Sequence, residues 1–171
     1  NPYTVNITGN TIRDNYVGNG SSTATGSIYG IYRSSSNEIF GSSFTVSNNT
    51  IKNLRRNQST PGAGRIFGVY TPAGAYNNEI SHNTIDSIYS TSSTHDVAGI
   101  YCIETAPGMI SIHDNTIRNL IKVSGTSGNV YGIYNSNNTD TLEVYNNTVH
   151  NLYNKAITGL LYGYYNSGVL A

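Results

Sequence analysis

The chain has 171 residues and balances nine basic side chains against nine acidic ones, so it offers no electrostatic footprint for nucleic acid or an anionic membrane surface. Charged residues make up only 11% of it, well below the roughly 25% of ordinary domains, and wetting of the surface falls to 24 Asn, 20 Ser and 19 Thr. A single cysteine, Cys102, excludes an internal disulfide framework and a cysteine metal cluster, and no apolar run approaches the roughly 20 residues of a membrane span.

The first predicted strand alternates apolar and polar residues through Val5 and Ile7, as a strand with one buried face must. Asn10-Thr11-Ile12 opens a second alternation, with Thr11 outward and Ile12 inward. Residues 16–26 then form a loop rich in Gly, Ser and Thr, and a third strand runs through Gly30-Ile31-Tyr32. The same order returns as Phe44 and Val46, Asn49-Thr50-Ile51, a loop over 55–64 containing Pro61, and Gly68-Val69-Tyr70. Next come Asn78 and Ile80 (the one irregular pair), Asn83-Thr84-Ile85, a loop over 89–96, and Gly99-Ile100-Tyr101. Ile110 and Ile112, Asn115-Thr116-Ile117, a loop over 122–129 and Gly132-Ile133-Tyr134 follow, then Leu142 and Val144, Asn147-Thr148-Val149 and Gly163-Tyr164-Tyr165. Residues 168–171 read as the start of a sixth unit. The best helical candidate, 154–161, contains Thr158 and Gly159 and has no apolar face.

The asparagine phrases stand 39, 34, 32 and 32 residues apart. A period in the thirties built of short β-type runs marks a stacked repeat. The expected fold is all-β: a right-handed parallel β-helix, or solenoid, of about five coils with three short strands per coil, forming one domain over 1–171. In the Gly-Ile-Tyr strand two neighbouring columns are apolar. We expect Tyr29, Phe67, Ala98, Tyr131 and Tyr162 to face inward with Ile31, Val69, Ile100, Ile133 and Tyr164, leaving Tyr32, Tyr70, Tyr101, Tyr134 and Tyr165 outward, although a bend at the glycine would reverse part of this.

The phrase Ile-x-x-Asn-Thr-Ile followed by Gly-Ile-Tyr resembles the right-handed parallel β-helix repeats of the pectate-lyase-like superfamily, especially those of bacterial secreted and surface proteins. The resemblance covers essentially the whole chain and speaks to fold rather than reaction. It implies that Asn10, Asn49, Asn83, Asn115 and Asn147 form a ladder at a tight turn. Physically, asparagine tolerates the left-handed conformation of a sharp corner and bonds to its neighbours above and below.

Threonines 11, 50, 84, 116 and 148 make an outward column, but its partner column, Arg13, Lys52, Asp86, Arg118 and His150, is charged and argues against an ice-binding surface. The tyrosines Tyr32, Tyr70, Tyr101, Tyr134 and Tyr165 are the candidate ligand-binding strip, with sugar rings or a partner protein as its occupants. Stacking of the rings on one another is the competing structural use. Members of the superfamily that cleave polysaccharides use clustered acids, often with calcium, or a basic residue, and neither acidic pattern is found here residue by residue. Mapping the carboxylates onto the coils gives Glu79 and Glu143 as the alternative catalytic pair, in one outward column with Ser111 between them. His82, His113 and Asp114 come near one another on adjacent coils but lack the sequence spacing of a metal motif, so no metal and no cofactor is expected.

The favoured reading is a non-catalytic extracellular or cell-surface module: a rigid stalk, passenger or adhesive domain. A carbohydrate-active domain, binding or cleaving polysaccharide along the β-helix face, is the alternative. Expected partners are a polysaccharide or a surface protein. Neither end shows an amphipathic cap, so we expect a segment of a longer protein, its open ends covered by flanking domains or by copies of itself.

Overall fold

The computed structural model describes residues 1–18, 26–34, 40–57, 64–72, 75–92, 94–103, 108–136 and 139–168. Every regular element among them is a strand. In chain order, β1 (Thr4–Thr8), β2 (Thr11–Arg13), β3 (Tyr16–Val17) and β4 (Ile28–Tyr32) are followed by β5 (Ser43–Ser47), β6 (Thr50–Arg56) and β7 (Ile66–Thr71). Then come β8 (Asn77–Ser81), β9 (Thr84–Ser90), β10 (Val97–Cys102), β11 (Met109–His113), β12 (Thr116–Lys122) and β13 (Val130–Asn135). The series ends with β14 (Thr141–Tyr145), β15 (Thr148–Asn154) and β16 (Leu161–Asn166). Among the described residues no helix is long and apolar enough to cross a membrane. The expected sixth unit falls largely on residues outside the described ones, as does Pro61.

The strands sort into three sheets, β1-β5-β8-β11-β14, β16-β13-β10-β7-β4 and β15-β12-β9-β6-β2, with β3 also paired to β6. Each neighbouring pair is parallel and unshifted: Thr50 faces Thr84, Thr84 faces Thr116, and Thr116 faces Thr148. The chain therefore visits the three walls in turn and lands on its own previous pass each time, which is a parallel β-solenoid. Between the walls runs one apolar core, including Val46, Ile51, Leu54, Ile85, Ile88, Ile112, Ile117 and Leu120, all without exposed surface. Each such aliphatic side chain stabilises the fold by about 1.5–3 kcal/mol relative to exposure.

Two columns of left-handed residues turn the chain. The first is Gly9, Asn48, His82, Asp114 and Asn146, and the second Asp14, Asn53, Ser87, Asn119 and Asn151, with φ between 52° and 70°. Asn, Asp and Gly dominate because an L-residue with a bulkier or branched side chain pays most in this conformation. The first column corrects the sequence expectation by one position. The ladder asparagines follow the corner instead of occupying it, because their side chains must face inward to reach backbone.

The ladder itself is continuous. Nδ2 of Asn10, Asn49, Asn83 and Asn115 donates to Oδ1 of the asparagine one pass later at 3.0, 3.0, 3.0 and 2.9 Å. The backbone N–H of each donates to the same oxygen. The second Nδ2 proton of Asn49, Asn83, Asn115 and Asn147 goes back to the carbonyl oxygens of Ile7, Val46, Ile80 and Ile112, each at 2.8 Å. In the interior of the ladder each side-chain amide thus accepts twice and donates twice, which satisfies a buried polar group in full.

The facing of the Gly-Ile-Tyr strand differs from expectation. Ile28, Ile66, Val97 and Val130 lie in the core together with Ile31, Val69, Ile100 and Ile133. Phe67, Ala98 and Tyr131 instead join Tyr70 in a second cluster, with Tyr29, Tyr101, Tyr134, Tyr162 and Tyr165 packed against it. The glycine is the cause. A Cβ at Gly68 would stand 2.7 Å from Ile85 Cγ2 and 2.6 Å from the Gly99 carbonyl oxygen, so the glycine faces inward against the neighbouring wall. The next residue also faces inward, and the period-two alternation slips by one.

The irregular Asn78 also has a physical account. It sits in the apolar column between Phe44 and Ile110, where its Oδ1 accepts from Arg33 Nη1 at 3.1 Å and its Nδ2 donates to the Ala75 carbonyl at 2.7 Å. Arg33, itself buried, lies 4.8 Å over the Phe44 ring.

Candidate functional site

Three outer surfaces carry the candidate residues. On the wall formed by β4, β7, β10, β13 and β16, the tyrosine column points away from the core as expected, but its rings lean on one another. Tyr101 stacks on Phe67 at 4.4 Å and on Tyr134 at 4.2 Å, with interplanar angles of 5° and 7°. Tyr32 stacks on Tyr70 at 5.4 Å and Tyr134 on Tyr165 at 5.5 Å. Exposure is uneven: Tyr32 is 52% exposed and Tyr70 only 6%. Burial raises the Tyr70 hydroxyl above its ordinary value despite the nearby Arg65, and burial with Tyr134 alongside raises that of Tyr101 further. The strip is an aromatic ladder whose ring faces are largely covered by neighbouring rings.

The second surface follows the bend in β6, β9, β12 and β15. An open groove of about 390 Å³ is lined by Asp14, Asn53, Ser87 and Asn119 on the left-handed corner and by Arg55, Tyr89 and Ile121 beside it. The Arg55 guanidinium lies 4.5 Å over the Tyr89 ring. Sequence reasoning ended this wall too early, assigning Tyr16, Arg55 and Tyr89 to the loops over 16–26, 55–64 and 89–96, and so missed the groove. The signal was present: Tyr16, Arg55, Tyr89, Ile121 and Tyr153 each stand six residues after a ladder asparagine and pair in register. Beside the groove Asp86 accepts from Arg118 Nε at 2.9 Å, from Asn119 Nδ2 at 2.7 Å and from Ser87 Oγ at 2.9 Å. Burial pushes that carboxyl up, and the three donors more than offset it, leaving it below its ordinary value.

The third surface, on β8, β11 and β14, holds the acidic pair. Register sets Ser111 against Glu79 on one side and Glu143 on the other, so the two glutamates are two strands apart, about 9.6 Å by strand spacing. Ser111 Oγ donates to Glu143 Oε2 at 3.4 Å and Ser81 Oγ to Glu79 Oε1 at 2.6 Å. His113 lies next to them, Nε2 3.6 Å from Glu79 Oε1 and Nδ1 2.8 Å from Asp114 Oδ2. His82 Nε2 is 3.8 Å from the same aspartate oxygen. The hydrogen bond from His113 and the proximity of His82 hold the Asp114 carboxyl below its ordinary value. Stacking thus brings together groups 31 and 32 residues apart in the chain.

Comparison of the chain with family models, with curated proteins and with solved structures finds no match. The functional reading therefore rests on the geometry of these three walls.

A further charged group lies out of reach of all three. Lys122 has no exposed surface, and its ammonium donates to the carbonyl oxygens of Ser92 and His95. Burial lowers its pKa to about 8. The sequence reading placed residue 122 in a loop, whereas it closes β12 with its side chain buried. Such a buried, lowered amine suits a catalytic base only when substrate can approach it, and this one is enclosed by backbone carbonyls.

Proposed function

We propose that the chain is a non-catalytic module of an extracellular or cell-surface protein, a rigid solenoid that spaces or displays adhesive surfaces, of the bacterial secreted type within the pectate-lyase-like superfamily. One observation supports this above the rest: the columns that repeat are consumed by stacking. The ladder amides bond to one another and to backbone, and the tyrosine rings stack on one another, so among the described residues these two repeated columns build the rod. Glu79 and Glu143 face outward on opposite sides of a serine, Glu143 exposed and the Glu79 side chain 44% exposed. A general acid needs the enclosed, apolar setting that keeps a carboxyl protonated. Incubation with a panel of polysaccharides tests the reading, and the expected result is no new reducing ends and no unsaturated products. Products that vanish in Glu79→Gln or Glu143→Gln would overturn it.

A second reading concerns binding. The groove of Asn53, Ser87, Asn119 and Tyr89 sets polar side chains opposite an aromatic ring along the solenoid axis, a combination suited to an extended polysaccharide. Retention on an immobilised glycan that is lost in Tyr89→Ala and kept in Tyr32→Ala supports this reading. The reverse pattern moves the binding to the tyrosine strip.

A further inference from the structure

At the corner that follows β8 and β11, the donor atoms of His82, His113 and Asp114 all lie within 4.8 Å of one another. The separations from Asp114 Oδ2 are 2.8 Å to His113 Nδ1 and 3.8 Å to His82 Nε2. Ligands held at about 2.0–2.1 Å by a tetrahedral zinc ion stand roughly 3.3–3.4 Å apart, a value these two distances bracket. We propose that His82, His113 and Asp114 bind one zinc ion, with water in the fourth position.

Four features of the surroundings support the assignment. His82 and Asp114 share the left-handed corner column, both at φ 55°, and the His82 N–H donates to the His113 carbonyl at 3.2 Å, so the backbone under the ligands is fixed. The His113 ring lies parallel to Tyr145 at 4.7 Å and its side chain is only 14% exposed, which fixes its orientation. Behind that ring stands a second carboxylate: Glu79 Oε1 faces His113 Nε2 at 3.6 Å and is itself held by Ser81 Oγ. A metal-bound imidazole ordinarily gives its other N–H to such a group. Zinc on Nδ1 leaves the ring proton on Nε2, the nitrogen that faces Glu79. Finally, two imidazoles and one carboxylate suit zinc, whereas calcium and magnesium take oxygen ligands.

The corner column also supplies variants that keep the fold. It carries asparagine at Asn48 and Asn146, so His82→Asn and Asp114→Asn place there a residue that the repeat already uses. Calorimetric titration of zinc chloride into the untagged chain is expected to show saturable one-to-one binding that a roughly hundredfold excess of calcium or magnesium leaves in place. In either variant that binding is lost while the circular dichroism spectrum and the thermal midpoint measured without metal stay unchanged. In Glu79→Gln the affinity falls by about tenfold or more. Cobalt gives the intense visible bands of a four-coordinate site in the parent chain only. No saturable binding in the parent chain, undiminished binding in both His82→Asn and Asp114→Asn, or displacement by calcium would each overturn the assignment.

Discussion

Asn83 donates its side-chain Nδ2 to Asn115 Oδ1 at 3.0 Å, and the same oxygen takes the Asn83 backbone N–H at 3.0 Å. Asn83 Oδ1 in turn accepts both donors of Asn49. Removing the amide in Asn83→Ala strands donors and acceptors that have no water to turn to, each costing about 1–3 kcal/mol. We expect a loss of about 3 kcal/mol or more in urea unfolding. Asn10→Ala, at an exposed position, costs less than about 1 kcal/mol. Equal losses for the two would show that the ladder is incidental to stability.

Gly68 and Gly163 occupy equivalent positions with opposite surroundings. A Cβ at Gly68 collides with the Gly99 carbonyl oxygen and Ile85, whereas one at Gly163 meets nothing within 4 Å. Gly68→Ala is expected to destabilise by about 1–3 kcal/mol or more and Gly163→Ala to stay within about 0.5 kcal/mol of the parent. Paired thermal melts read the difference directly.

Stability should pass through a maximum near pH 10. With Lys122 lowered to about 8 from 10.5, the unfolded chain binds that proton between those values and the folded chain does not, so stability rises with pH across the window. The tyrosines act in the opposite sense. Burial raises Tyr131 to about 12 and shifts Tyr70, Tyr101 and Tyr164 upward. The folded chain therefore keeps phenolic protons that the unfolded chain releases above about pH 10, and stability falls there. In Lys122→Met the rise from pH 8 disappears while the alkaline fall remains, as denaturant midpoints across pH 7–12 will show.

Tyr101→Ala removes a ring stacked on both Phe67 and Tyr134. The expected effect is structural, a loss of about 2–4 kcal/mol, with glycan retention unchanged at temperatures where the variant is folded. Lost retention at full stability would assign the strip to binding.

The stacking was legible because the period sets the register: once Asn49 and Asn83 are aligned, the pairings of Thr50 with Thr84 and Ile51 with Ile85 follow. The Gly-Ile-Tyr wall was not, since Gly68 breaks the two-residue alternation that would otherwise tell which side of Phe67 faces the core. Charge misled in a similar way. Arg56 and Lys122 fell at the starts of the segments read as loops, 55–64 and 122–129, yet both side chains are buried at the ends of strands. His82 and Asp114 were placed near each other by the repeat, but their distance along the chain does not resemble a ligand motif. Only the corner geometry shows that their donor atoms converge.

The amide-to-amide hydrogen bonds of the ladder all run in one sense, each asparagine giving a hydrogen to that of the later pass and accepting from that of the earlier. Such a column is vectorial. A repeat unit copied into the middle of the rod in the same orientation meets the hydrogen-bonding pattern that its neighbours already offer, whereas a reversed one would set donor against donor. Growth and shortening by whole units are thereby compatible with the hydrogen bonds of the ladder, which makes reach a property this architecture can vary without altering that column's chemistry.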